Sequence, residues 1–80
     1  MAGYDHYEEA KWIAESLYAQ GFADDSKDIR GALSDGVSGT QIFMHLRKIL
    51  TPLSNMTELD RFTCDRIMTL IANIDEALAP

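Results

Sequence analysis

Apolar residues recur at helical spacing in four stretches of the chain, each bounded by residues that start or stop helices. From Asp5 to Gln20, Ala10, Ile13, Ala14 and Leu17 fall on one face, and Asp5-x-x-Glu8 places side chains where orphan amides need acceptors. Gly21 followed by Phe22 predicts a Schellman ending, with Phe22 folded back on Leu17. From Asp25 to Asp35 the apolar face is short, Ile29, Ala32 and Leu33, and it begins under Asp24, Asp25 and Asp28, which suit the positive end of a helix dipole. Gly31 inside this helix costs on the order of 1 kcal/mol relative to Ala, which implies a weak helix or a close neighbouring backbone.

Gly36 stops the second helix and Ser38-x-x-Gln41 starts a third as a capping box, with Val37 and Ile42 as its hydrophobic staple. Ile42, Leu46, Ile49, Leu50 and Leu53 continue one stripe over a helix from Gly39 to Thr51, which Pro52 is expected to terminate. Thr57, with Asp60 three residues on, is the expected cap of a last helix from Glu58 to about Ala77, whose inner face is Phe62, Ile67, Leu70, Ile71, Ile74 and Leu78. No stretch alternates apolar and polar residues as a half-buried strand does. The pattern predicts an all-α fold: a compact four-helix bundle with short loops, forming one helical domain over residues 1–80.

Composition supports a packed core, since 46% of the 80 residues are hydrophobic and 25% charged. Charge then narrows the choice of partner. The net charge is −6, and residues 1–36 hold eight acids against three bases, a balance that argues against nucleic acid and against anionic membranes. Cys64 is the single cysteine, no apolar run approaches the length of a membrane span, and the first residues lack the basic and apolar regions of a signal peptide; the expected location is cytoplasmic.

Candidate chemistry is sparse. His6 and His45 lie on different helices without metal-ligand spacing, so no metal or other cofactor is expected. His6 reads as a solvated first-turn residue and Cys64 as a small, partly buried helix residue without a base. Gly36 to Thr40 places glycines and hydroxyls at a helix start but lacks the Walker spacing and lysine. Paired acids such as Glu8-Glu9, Asp24-Asp25 and Asp75-Glu76 read as solvated faces. No nucleophile–base pair emerges, and an enzyme is not expected. Tyr4, Tyr7, Trp12 and Tyr18 crowd the first helix beyond what its apolar stripe needs; they either close the edge of the core or anchor a partner. Phe43 and Met44 pose the same choice on the third helix, and a homodimer through them is one alternative.

Two resemblances follow from residues 29–46. Ala32, Gly36, Val37 and Ile42 occupy the small, turn and apolar positions of a DNA-binding helix-turn-helix, and this resemblance implies Gln41, Arg47 and Lys48 near DNA. His45 departs from it where the pattern has an apolar core residue, and Phe43 and Met44 stand where base-reading polar groups would be. The same stretch, from Ala23-Asp24 through the run Gly39 to Arg47, is similar to a loosely defined group of small acidic helical bacterial proteins, often immunity or antitoxin-like partners of secreted toxins. That similarity implies a non-enzymatic module that sequesters a basic toxin domain. Asp5, Glu8, Glu9, Asp24, Asp25 and Asp28 are the expected electrostatic contacts, with Tyr7, Trp12 and Tyr18 as anchors.

Overall fold

Asp5 starts the first helix as expected, its carboxylate accepting from the Glu8 amide at 3.1 Å. At the other end Gly21 takes φ +92°, and the Phe22 amide donates to the Leu17 carbonyl at 2.8 Å, which closes the predicted Schellman turn. The computed structural model describes residues 3–36 and 38–80. Its helices are α1 (His6–Ala19), α2 (Ala23–Asp35), α3 (Gly39–Leu53) and α4 (Arg61–Leu78), with no strand among the described residues. Each helix packs on its two neighbours, α1 on α2 and α4, α3 on α2 and α4, so that the bundle is a ring of four. The radius of gyration, 11.9 Å, matches the roughly 12 Å expected of a compact chain this long.

The predicted stripes meet in one core. Ala10, Ile13, Ala14 and Leu17 are fully buried against Ile29, Ala32, Leu46, Leu50, Ile67, Leu70 and Ile74. Each large aliphatic side chain removed from water in this way stabilises the fold by about 1.5–3 kcal/mol. The core also holds a polar link. Ser16 and Thr63 share a 2.7 Å hydroxyl hydrogen bond, and the Gln20 amide donates to both at 3.0 Å. The Gln20 carbonyl oxygen in turn accepts from the Asp60 amide at 2.9 Å, tying the end of α1 to the start of α4.

That link explains one departure from the expected boundaries. α4 begins at Arg61 under an Asp60 cap, whose carboxylate accepts from the Thr63 amide at 2.7 Å, and not under Thr57. Leu59 is drawn into the core and Gln20 holds the Asp60 backbone, so tertiary contacts set the helix start three residues later than the local signal does. The inner stripe of α4 is Thr63, Ile67, Leu70 and Ile74, which leaves Phe62 one position off it and 63% exposed.

Pro52 does not end α3. It occupies the last turn, where the carbonyl it leaves without a donor can face water, while buried Leu53 continues the helix and the Ser54 amide bonds to Leu50 and Thr51. Ser38 caps α3 as predicted, accepting from the Gln41 amide at 3.2 Å; the Val37 staple lies outside the described residues. α2 starts at Ala23, two residues before the predicted start, with no side-chain cap bond. The close approach suspected at Gly31 is found at Gly36, where an added Cβ would collide with the Ile42 side chain. At Gly31 it would meet only Asp35 Oδ2, at 3.9 Å.

Candidate functional site

The expected contact residues divide into two groups at opposite ends of α1, a helix about 20 Å long. Asp5, Tyr7, Glu8, Glu9 and Trp12 occupy the amino-terminal end, and most are engaged within the chain. Asp5 is the cap, and Glu8 faces Lys11 at 3.4 Å with both side chains well exposed. Glu9 accepts two bonds of 2.6 Å from the Nε and Nη2 groups of Arg66 on α4, in a pair whose carboxylate is only 16% exposed. The bond to Glu9 holds the Arg66 guanidinium above its ordinary pKa. The same guanidinium lies 3.9 Å from the centre of the Trp12 ring, and Phe62 meets Trp12 edge-on at 5.6 Å.

Tyr7 packs on Phe43 at 5.7 Å between ring centres, and His6 lies between Tyr4 and Phe43 at 5.0 and 4.7 Å. His6 is therefore not a solvated first-turn residue. It is half-buried, and its Nε2 stands 3.3 Å from the Asn73 carbonyl. Burial, then the Glu9 charge, raise the Tyr4 pKa above the usual tyrosine value against the opposing effect of Arg66. Phe43 is half-covered by this cluster, which leaves Met44 as the exposed member of the pair considered for a homodimer.

Tyr18, Asp24, Asp25 and Asp28 form the second group, around the turn from α1 into α2. Tyr18 is 68% exposed and shares a shallow depression with Asp24, Ser26 and Arg30. Asp24 and Asp28 are exposed and Asp25 is half-buried. Among the described residues no lysine or arginine lies within ion-pair distance of these aspartates or of Asp35, whereas Glu8, Glu9, Asp65 and Asp75 each have a basic partner. Asp24 and Asp25 have a local role in the first turn of α2, where they complement its dipole. Asp28 lies beyond that turn, and Asp35 sits at the carboxyl end, where the dipole disfavours a negative charge.

Sequence reasoning missed Arg66 and Phe62 as neighbours of Trp12. Their spacing of four residues on one helix was the available signal, but only the α1/α4 packing brings them to Trp12. On α3, Arg47 bonds Asp75 at 2.8 Å, which engages one of the bases expected near DNA. Cys64 is half-buried, its Sγ 3.5 Å from the Met56 carbonyl. Among the described residues no group of three or more His, Cys, Asp or Glu converges as metal ligands do, and no helix is long and apolar enough to cross a membrane. The fold and site define an all-α four-helix bundle whose α2 carries four aspartates without ion pairs among the described residues, with exposed Lys27 and Arg30 interspersed among them. No protein-family model matches the chain, and no curated protein or solved structure matches it.

Proposed function

We propose that this chain is a non-enzymatic binding module that receives a basic protein on its α2 face, most concretely a bacterial immunity protein that neutralises a toxin domain. The observation that carries this reading is the pairing of the helix carboxylates: among the described residues none of the four on α2 has a basic partner, whereas on α1 and α4 Glu8, Glu9, Asp65 and Asp75 each have one and only Glu15 and Glu76 do not. Helix-end electrostatics account for Asp24 and Asp25 but not for Asp28 and Asp35. Like charges left facing water repel one another, and a positively charged visitor relieves that repulsion while being steered to the site. Tyr18 stands beside this face as an exposed aromatic anchor. A cytoplasmic location belongs to the same reading, since the lone Cys64 thiol suits a reducing compartment.

The test is affinity capture from the source cell with the full chain as bait. Removing charge is preferable to reversing it, because lysines at the start of α2 would oppose its dipole. The variant Asp24→Asn/Asp25→Asn/Asp28→Asn is compared with Glu15→Gln/Glu58→Gln/Glu76→Gln, which removes equal charge elsewhere, after circular dichroism has verified both folds. The expected result is a basic protein held by the wild type and the control, and released by salt and by the α2 variant. Equal capture by both variants, or capture insensitive to salt, overturns the reading.

A further inference from the structure

Two seams of the bundle are closed by ion pairs between helices: Arg66 to Glu9 joins α4 to α1, and Arg47 to Asp75 joins α3 to α4. Neither the α1/α2 seam nor the α2/α3 seam has one among the described residues, although charges of both signs stand along the α2/α3 seam. The latter opens into a groove of about 570 Å³. Half-buried Ile49, beside the fully buried Ala32, forms the apolar floor, Asp28 and Asp35 stand on the α2 side, and Lys48 stands on the α3 side. Lys27 stands with the aspartates on the α2 side and His45 with Lys48 on the α3 side. Between the two aspartates Gly31 leaves the α2 wall bare, since a Cβ there would touch nothing but Asp35 Oδ2, at 3.9 Å.

Resting on the partner-binding reading above, we infer that this groove takes an amphipathic helix of the basic partner. Its basic edge carries two Lys or Arg residues seven positions apart that meet Asp28 and Asp35, its narrow apolar strip covers the exposed part of Ile49, and its acidic edge faces Lys48. The spacing selects a helix. Asp28 and Asp35 are two turns apart, about 10.5 Å, which a helix laid alongside matches at positions i and i+7. An extended strand would cover that distance in about three residues. The missing side chain at Gly31 admits the incoming backbone, because helices approach as closely as the side chains at their contact allow. The α2 wall carries Asp28 and Asp35 against Lys27 and the α3 wall carries Lys48, and this excess of negative charge on α2 decides which edge of the visitor faces which wall. A second copy of this chain does not fit the pattern: no two of its seven lysines and arginines stand seven residues apart.

The probe is a synthetic alanine- and leucine-rich peptide of about 18 residues, long enough for a marginal helix, with lysines at i and i+7 and glutamates on the opposite edge. It is titrated into the full chain by calorimetry and by amide chemical-shift mapping, beside a scrambled peptide of the same composition. Saturable binding is expected, with shifts centred on Gly31, Ala32 and Ile49. Gly31→Leu fills the groove without altering charge and suits a helix interior; it should weaken binding about tenfold or more, as should Asp28→Lys/Asp35→Lys. A peptide with glutamates in place of the two lysines should then prefer the charge-reversed chain. Absence of saturable binding, equal binding of the scrambled peptide, or unchanged affinity in Gly31→Leu overturns the inference. Capture of a cellular partner that depends on Asp24, Asp25 and Asp28 yet tolerates Gly31→Leu overturns the groove alone and leaves the partner-binding reading standing.

Discussion

Asp60 does at the start of α4 what the local pattern assigned to Thr57, and the two residues give opposite predictions for one small change. Asp60→Ala removes a 2.7 Å acceptor from the Thr63 amide and should cost about 0.5–2 kcal/mol of unfolding free energy, read from urea denaturation. Thr57→Ala should cost far less, because the Thr57 hydroxyl bonds only the exposed carboxylate of Glu58; equal losses would return the cap to Thr57. Tyr4 makes a prediction in pH. Burial and the Glu9 charge raise its pKa, so the folded chain keeps a proton that the unfolded chain has released. Its contribution to stability is complete below the ordinary tyrosine value of about 10 and is lost as pH rises through the raised one. Melting temperature should therefore decline above that value, and Tyr4→Phe should flatten the decline; parallel curves would remove Tyr4 as the cause.

α1 is the element most legible in the sequence, because its cap, its stripe and its Gly21 turn all lie within a few residues of one another. α4 is less so. Its start depends on Gln20, forty residues away, and the orientation of Phe62 depends on Trp12. The candidate site divides along the same line: the acidity of α2 is visible in Asp24, Asp25 and Asp28, but nothing local separates them from Glu9. That distinction comes from Arg66, 57 residues away in the chain. The Glu9–Arg66 pair should therefore behave as part of the α1/α4 contact. Arg66→Ala removes a bidentate, charge-assisted contact and the cation over Trp12, and should destabilise the fold by about 1–3 kcal/mol and alter the Trp12 fluorescence. Lys11→Ala, which breaks the exposed pair with Glu8, should cost about 0–1 kcal/mol. A double-mutant cycle giving Glu9 and Arg66 no more coupling than Glu8 and Lys11 would assign Glu9 to the same open surface as its neighbours.

At the scale of the whole molecule, a net charge of −6 is set against the helix-turn-helix resemblance of residues 29–46. Affinity for duplex DNA grows with the number of phosphates neutralised and falls with salt in the same proportion. Of the two bases that the resemblance brings to DNA, Arg47 is held by Asp75 at 2.8 Å, which leaves Lys48 as the base without an ion pair in that set. Exposed Met44 stands on the same helix where polar side chains would read bases. One free lysine can release about one counterion, too few to overcome the repulsion between an acidic globule and the phosphate backbone. A mobility-shift assay near physiological salt should show no retardation below about 0.1 mM protein. Asp75→Ala, which frees Arg47, should not create retardation, because the excess of acids over bases remains large. Retardation that disappears on Gln41→Ala and Lys48→Ala would mean that the outward face of α3 reads DNA despite the charge around it, and the acidic face of α2 would then need another explanation.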